Sequence, residues 1–267
     1  MEIQVIDEHR CPIEASISLN AEEAIKLSRG TWQRIARILK VDISQVREKA
    51  TSMFTRREIA QALAGVSMAN AAQQAFDTLG VTFMFTPKFT VPDDFAEGEA
   101  LSFTARAYPV PDMQLDLDKP IATQEGEAPE EAVRRALRAR LNGDIPNALI
   151  EAGLSQAHHE FKNQLAEQGK TYREYRIENG VKPSEVDERL AKQSRQQLEE
   201  DIALDLCYLR QNLQFSEQDE LDALASLAPG SEAELKREFL ETGRICLLSQ
   251  QARRRAAVRW AVENLVQ

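Results

Sequence analysis

Residues 171–213 read TYREYRIENG VKPSEVDERL AKQSRQQLEE DIALDLCYLR QNL, and this stretch decides the helical half of the chain. Thr171 with Glu174 three residues on is a capping-box pattern, so a short helix starts there. Asn179-Gly180 ends it, because glycine accepts the left-handed conformation that a helix C-terminus needs. Pro183-Ser184 restarts the chain, and the spacing predicts a second box between Ser184 and Asp187. Val186, Leu190, Leu198, Ile202, Leu206, Leu209 and Leu213 follow, mostly at three- or four-residue steps, as one apolar stripe on a long helix. Leu198, Ile202 and Leu209 are its expected core positions. Nothing on this helix carries chemistry.

Upstream, residues 1–19 read as a β-hairpin. Ile3 and Val5 alternate with polar residues, and Ile13, Ala15, Ile17 and Leu19 keep a period of two after the polar turn Asp7–Arg10. Asn20 with Glu23 caps a helix to about Lys40, with Ala24, Leu27, Ile35, Ile38 and Leu39 inside. Helical patterns resume through Val46 to Phe54 and from Arg57 to Leu79, closed by Gly80. Short apolar runs at Val81–Phe85 and Phe89–Val91 precede a strand over Leu101–Tyr108 and a further one at Met113–Leu117. Residues 121–129 are small, acidic and Pro/Gly-bearing, a linker composition. Beyond them, helices are expected at Glu130–Leu141, from Pro146, and at Glu217–Ala228. Ser231 with Glu234 caps a last helix or helix pair, broken near Gly243. The fold class is α+β: an N-terminal antiparallel sheet with helices (1–120), a linker (121–129) and an all-α domain (130–267).

With 267 residues, 43% hydrophobic and 28% charged, the chain can build one large domain or two modest ones. A net charge of −10 argues against bulk nucleic-acid binding. Cys11, Cys207 and Cys246 are odd in number and far apart, which reads as free thiols in a reducing compartment. The acidic N-terminus lacks an apolar signal segment, and no apolar run is long enough to span a bilayer, so a cytoplasmic location without a membrane partner is expected.

His158-His159 is the one histidine pair; adjacent helical residues point about 100° apart and do not chelate one ion. His9 stands in a turn, and Asp93-Asp94 and Glu199-Glu200 read as solvated. No nucleophile elbow, phosphate-binding glycine loop or zinc-protease motif occurs, so neither an enzyme nor a cofactor or metal is expected. Arg253-Arg254-Arg255 reads as cations near a helix C-terminus. From Lys26 to Arg57 nine Lys/Arg stand against Asp42 and Glu48. Within that excess Arg47, Lys49, Arg56 and Arg57 are candidate contacts to RNA or a ribosome, against the simpler reading of a solvated helix face.

In order along the chain these pieces resemble the trigger factor family, the bacterial ribosome-associated chaperones. The carriers are MEIQVIDEHRCPIEASISLNAEEAI, AQQAFDTLGVTFMFTPKFTV, EGEALSFTARAYPVPDMQLDLDKPI, IPNALIEAGL and, closest, QGKTYREYRIENGVKPSEVDERLAKQSRQQLEEDIALDLCYLRQNLQFSEQDE. The resemblance implies an N-terminal ribosome-binding-type domain and a C-terminal domain of helical arms that holds unfolded or nascent polypeptides without ATP. Leu154, Phe161, Leu165, Tyr172 and Tyr175 are then the candidate client contacts. Two departures stand out. The family's FK506-binding-type prolyl-isomerase domain of ~100 residues has no room between Pro120 and Pro146. The glycine- and proline-bearing ribosome-docking loop is replaced by VDISQVREKATSMFTRREI, which implies a more helical connection. A holdase without isomerase activity is the leading expectation, self-association into a homodimer fits an apolar cradle, and an adaptor for one protein partner or a ribosome/RNA-associated factor are the alternatives.

Overall fold

The computed structural model describes residues 1–7, 11–91 and 98–267. The Asp7–Arg10 turn with His9, and the pair Asp93-Asp94, fall wholly or partly outside them. Contacts divide the chain into two compact units: Met1–Val110 with Gln214–Ala256, and Pro111–Leu213 with Ala257–Gln267. The chain is α+β, with a small antiparallel sheet near its start and a mostly helical remainder. Its contacts group residues differently from a linear division near position 120, because the helices after Leu213 return to the unit that holds the sheet.

In the first unit β1 (Glu2–Asp7), β2 (Ile13–Leu19), β3 (Lys88–Phe89) and β4 (Leu101–Ala107) pair antiparallel in the order β1-β2-β4-β3. Register places Ile17 against Phe103 and Ala15 against Ala105, so the alternating residues of both strands face one side. That side packs on α3 (Arg56–Thr78), whose Ala64, Met68, Ala71, Ala72, Ala75 and Phe76 are fully buried. Alanine at four of these positions lets the helix backbone approach the sheet. The run Val81–Phe85 forms only an isolated bridge, Phe83 to Pro109, rather than a strand.

α1 (Ala21–Leu39) starts at the Asn20–Glu23 box and runs beside α3, with α2 (Val46–Met53) between them in sequence. Ala50, Ile59 and Leu63 form a separate small core with Trp32, Ile35 and Leu39. Ile38 was expected inside this helix but is 60% exposed, because the cluster is closed by its neighbours Ile35 and Leu39. Thr55 and Glu58 form a capping box at the start of α3 that the sequence reading passed over. Later in the chain α8 (Glu217–Leu227), α9 (Glu232–Glu241) and the first half of α10 (Ile245–Leu265) contribute Ala223, Leu224, Phe239 and Leu248 to a third cluster. Cys246 reaches the sheet core, and Glu241 pairs with Arg37 of α1. Arg253 donates to the Phe83 carbonyl and Arg254 is buried; with Arg255 they stand in the middle of α10, not near its C-terminus as the sequence suggests.

The second unit is helical. α4 (Pro129–Arg140) and α5 (Asn147–Glu167) both pack on α7 (Pro183–Arg210), and α6 (Tyr172–Asn179) joins α5 to α7. Two helices on α7 cover more than one stripe: Ile202, Ala203, Leu204, Asp205, Leu206 and Cys207 are all buried. Leu198 and Ile202 take their expected core places, whereas Leu209 is 42% exposed beyond the end of that covered stretch. The N-cap of α7 is Lys182 and not Ser184: the Glu185 carboxylate accepts the Lys182 N–H at 2.8 Å, while the lysine ammonium cannot accept in return. Pro183 then occupies the first helical position, where a missing N–H costs nothing. Likewise Ser231 makes no side-chain cap; Glu232 accepts the Gly230 N–H instead.

The segment read as a linker by composition is ordered within this unit. β5 (Gln114–Leu115) pairs with β6 (Leu141–Asn142), and Ile121 is 1% exposed and bonded to the backbone of Leu265 and Gln267. Guanidinium groups fix the rest. Arg210 donates to the carbonyls of Met113 and Leu115, Arg140 to those of Lys119 and Pro120, and Arg135 to Ala122. Arg135 also forms a two-bond fork with Glu127 at 2.7 and 2.8 Å, and the Gln124 N–H adds a third bond. These bonds, Arg135 first, lower the Glu127 pKa from 4.5 to about 2. A depressed carboxyl stabilises the fold fully above its unfolded pKa and loses that contribution as pH falls through the folded value. Glu127→Gln should therefore show a shallower loss of stability than the parent between pH 4.5 and 2, read from urea midpoints at stepped pH. Identical slopes would refute the clamp.

Candidate functional site

Of the expected client residues, Phe161, Tyr172 and Tyr175 meet where α5, α6 and α7 converge. α5 carries Leu154, Phe161 and Leu165 on one side, and Gly169, in a left-handed conformation, turns the chain into α6. The Thr171–Glu174 box then starts α6 so that Tyr172 and Tyr175 both reach Phe161. Ring centroids lie 6.2 Å (Tyr172) and 5.1 Å (Tyr175) from Phe161, both edge-on, the geometry that the aromatic quadrupole prefers. Arg189 of α7 lies 5.8 Å from the Phe161 and Tyr175 rings and donates to the Tyr175 hydroxyl at 2.8 Å. Arg176 stands 5.5 Å over Tyr172. Lys170 and Glu178 close the turn, and His158 Nε2 lies 3.8 Å from Asp187 across α5 and α7.

All three rings are half-buried, so they hold the helices together while keeping ring edges in solvent. Ile177, which the sequence reading missed, is 69% exposed on α6, two residues from Tyr175 and therefore turned to the other side of that helix. Its signal was present: an isoleucine three residues before Gly180 cannot be covered by so short a helix. Leu154 is half-buried, whereas Leu165 is 3% exposed and its side chain is spent inside the unit.

The basic candidates lie in the first unit, apart in sequence from this cluster. Arg47, Lys49, Arg56 and Arg57 are all exposed, on or just after α2. The Arg47 guanidinium sits 4.8 Å over the Trp32 ring. The connection between α1 and α3 is helical over Val46–Met53.

Among the described residues no group of three or more His, Cys, Asp or Glu is arranged to hold a metal ion. Burial raises the Cys207 thiol to about 12 and pushes the Cys246 and Cys11 thiols up as well, so none is a ready thiolate at neutral pH.

A family model for the C-terminus of the bacterial trigger factor protein matches residues 113–263, more than half of the chain. The chain belongs to the trigger factor family. The match spans α4 to α10 and includes the whole α5–α6–α7 cluster; residues 1–112 lie before it. A solved structure of the trigger factor chaperone, described for promiscuous substrate recognition in folding and assembly activities, is similar at 9% identity with a TM-score of 0.40. The similarity covers 99% of this chain and 100% of that one. No curated protein matches in sequence. No helix among the described residues is long and apolar enough to cross a membrane.

Proposed function

We propose that this chain is an ATP-independent holdase that receives non-native polypeptides at the α5–α6–α7 end, without prolyl-isomerase activity. The observation that carries the reading is the family match across that cluster, together with the half-buried rings of Phe161, Tyr172 and Tyr175 and the exposed Ile177 on the other side of α6. Aromatic and aliphatic side chains presented together gain free energy from covering by any apolar segment at roughly 25 cal/mol per Å², which needs no sequence match. Arg176 and Arg189 hold the rings in place, so little order is lost on binding. Absence of isomerase activity rests on length: the residues between Pro120 and Pro146 build a strapped loop and α4, which leaves no place for a further domain there.

Light scattering during dilution of a chemically denatured client enzyme tests this. Suppression at stoichiometric ratios is expected without nucleotide, and Phe161→Ser with Ile177→Ser should weaken it about tenfold or more. Undiminished aggregation at excess protein would overturn the reading. One stoichiometric partner in a pull-down, with no effect on clients, would favour a dedicated adaptor instead.

A further inference from the structure

The α1–α2–α3 corner of the first unit carries a second surface that the holdase reading does not use. Ile38 and Ile43 are 60% and 53% exposed at the α1–α2 connection, and Met53 and Phe54 are 58% and 41% exposed at the α2–α3 turn. Ile38 and Ile43 flank one end of α2 and Met53 and Phe54 the other, about 12 Å apart over its eight residues, and Leu39, Ala50 and Ile59 beside them pack in one small core. Lys40, Arg47, Lys49, Arg56 and Arg57 are exposed on the same connections. Asp42 and Glu48 are the acids within residues 38–57, and the Asp42 carboxylate is engaged by the N–H and hydroxyl of Ser44. A chain of net charge −10 thus presents one corner that is both basic and apolar.

We propose that this corner is a peripheral docking surface for an anionic lipid bilayer, with Ile43, Met53 and Phe54 entering the headgroup boundary and Lys40, Lys49 and Arg56 facing lipid phosphates. Charge complementarity selects a polyanion. The apolar side chains then decide among polyanions. A nucleic-acid backbone offers Ile38, Ile43 and Met53 nothing apolar to cover them, and only Phe54 could stack on a base. The four side chains project from two connections rather than from a groove or a helix stripe, so a fluid interface covers them without shape matching. No spanning helix is required for such a contact.

The whole protein is co-sedimented with vesicles of phosphatidylcholine alone and with phosphatidylglycerol added. Binding is expected to the anionic vesicles only, and to fall with salt. Lys40→Gln, Lys49→Gln and Arg56→Gln together should lower it about a hundredfold, at roughly fivefold per cation. Ile43→Ser with Phe54→Ser should lower it about tenfold or more. Unchanged urea midpoints identify both variants as folded, which the exposure of all five residues predicts. Failure of the parent to bind anionic vesicles overturns the proposal, as does binding that survives either variant. So does tight binding of an RNA homopolymer that the Ile43/Phe54 variant retains, or a dimer that the same variant dissolves in the absence of lipid binding.

Discussion

Gly243→Ala is expected to lower the unfolding free energy by roughly 2–4 kcal/mol, summing left-handed backbone strain and overpacking. Gly243 has φ +68 and sits immediately after α9, where the Arg244 N–H reaches back to the Phe239 carbonyl at 2.8 Å. This is a helix stop that a left-handed residue makes possible. A Cβ there would lie 2.7 Å from the Ala69 Cβ and 3.3 Å from the Val66 carbonyl oxygen. Neither is the end of a flexible side chain, so α3 or the α9–α10 turn must shift. Gly80→Ala separates the two costs, because Gly80 has φ +69 with nothing within 4 Å of its added Cβ. Urea unfolding followed by circular dichroism should show the Gly80 variant losing only the backbone share. Equal losses at the two positions would mean that the close approach to Ala69 contributes nothing.

Gly243 also marks how far the sequence could be read. A glycine inside a helical pattern signals a break, and the break is there; the reason for it, the approach of Ala69 on α3, lies 174 positions upstream and leaves no local trace. The same division holds throughout. The period of two in β2 and β4, and the boxes at Asn20 and Thr171, are local signals and were legible. Ser184 and Ser231 make no side-chain cap: Glu185 accepts the Lys182 N–H and Glu232 the Gly230 N–H, each acid standing two residues before the one expected. The acidic, Pro/Gly-bearing 121–129 segment matched linker composition, yet it is held by Arg135 from α4 at Ala122 and Glu127, and composition does not encode who donates to a carbonyl. At the candidate site the aromatic residues could be picked out by type. Their assembly around Arg189 depends on helix pairing, and Leu165 shows the limit: an apolar residue of the right face is as easily core as surface.

Ile202→Ala and Leu209→Ala put that limit to a quantitative test within one helix. Both residues sit on the α7 stripe, and sequence periodicity treats them alike. Ile202 is 0% exposed between the helices that pack on α7, whereas Leu209 is 42% exposed next to Arg210, which clamps the Met113 and Leu115 carbonyls. Truncating a fully buried isoleucine costs about 2–5 kcal/mol, the spread reflecting how far the cavity can collapse. Six consecutive buried positions from Ile202 to Cys207 leave few mobile neighbours, which places the cost in the upper part of that range. Leu209→Ala should change stability by less than about 1 kcal/mol, as exposed positions do. Ile202 is thirteen residues from Arg189, about 20 Å along the helix, so the ring cluster should survive. Holdase capacity per folded molecule is then expected to match the parent in both variants at temperatures where each is folded. A large loss at Leu209 would show that α7 is covered on its outer face by something other than solvent. A loss of client binding by folded Ile202→Ala would mean that the packing of α7 sets the geometry of the Phe161 cluster, making the scaffold and the binding surface one cooperative element.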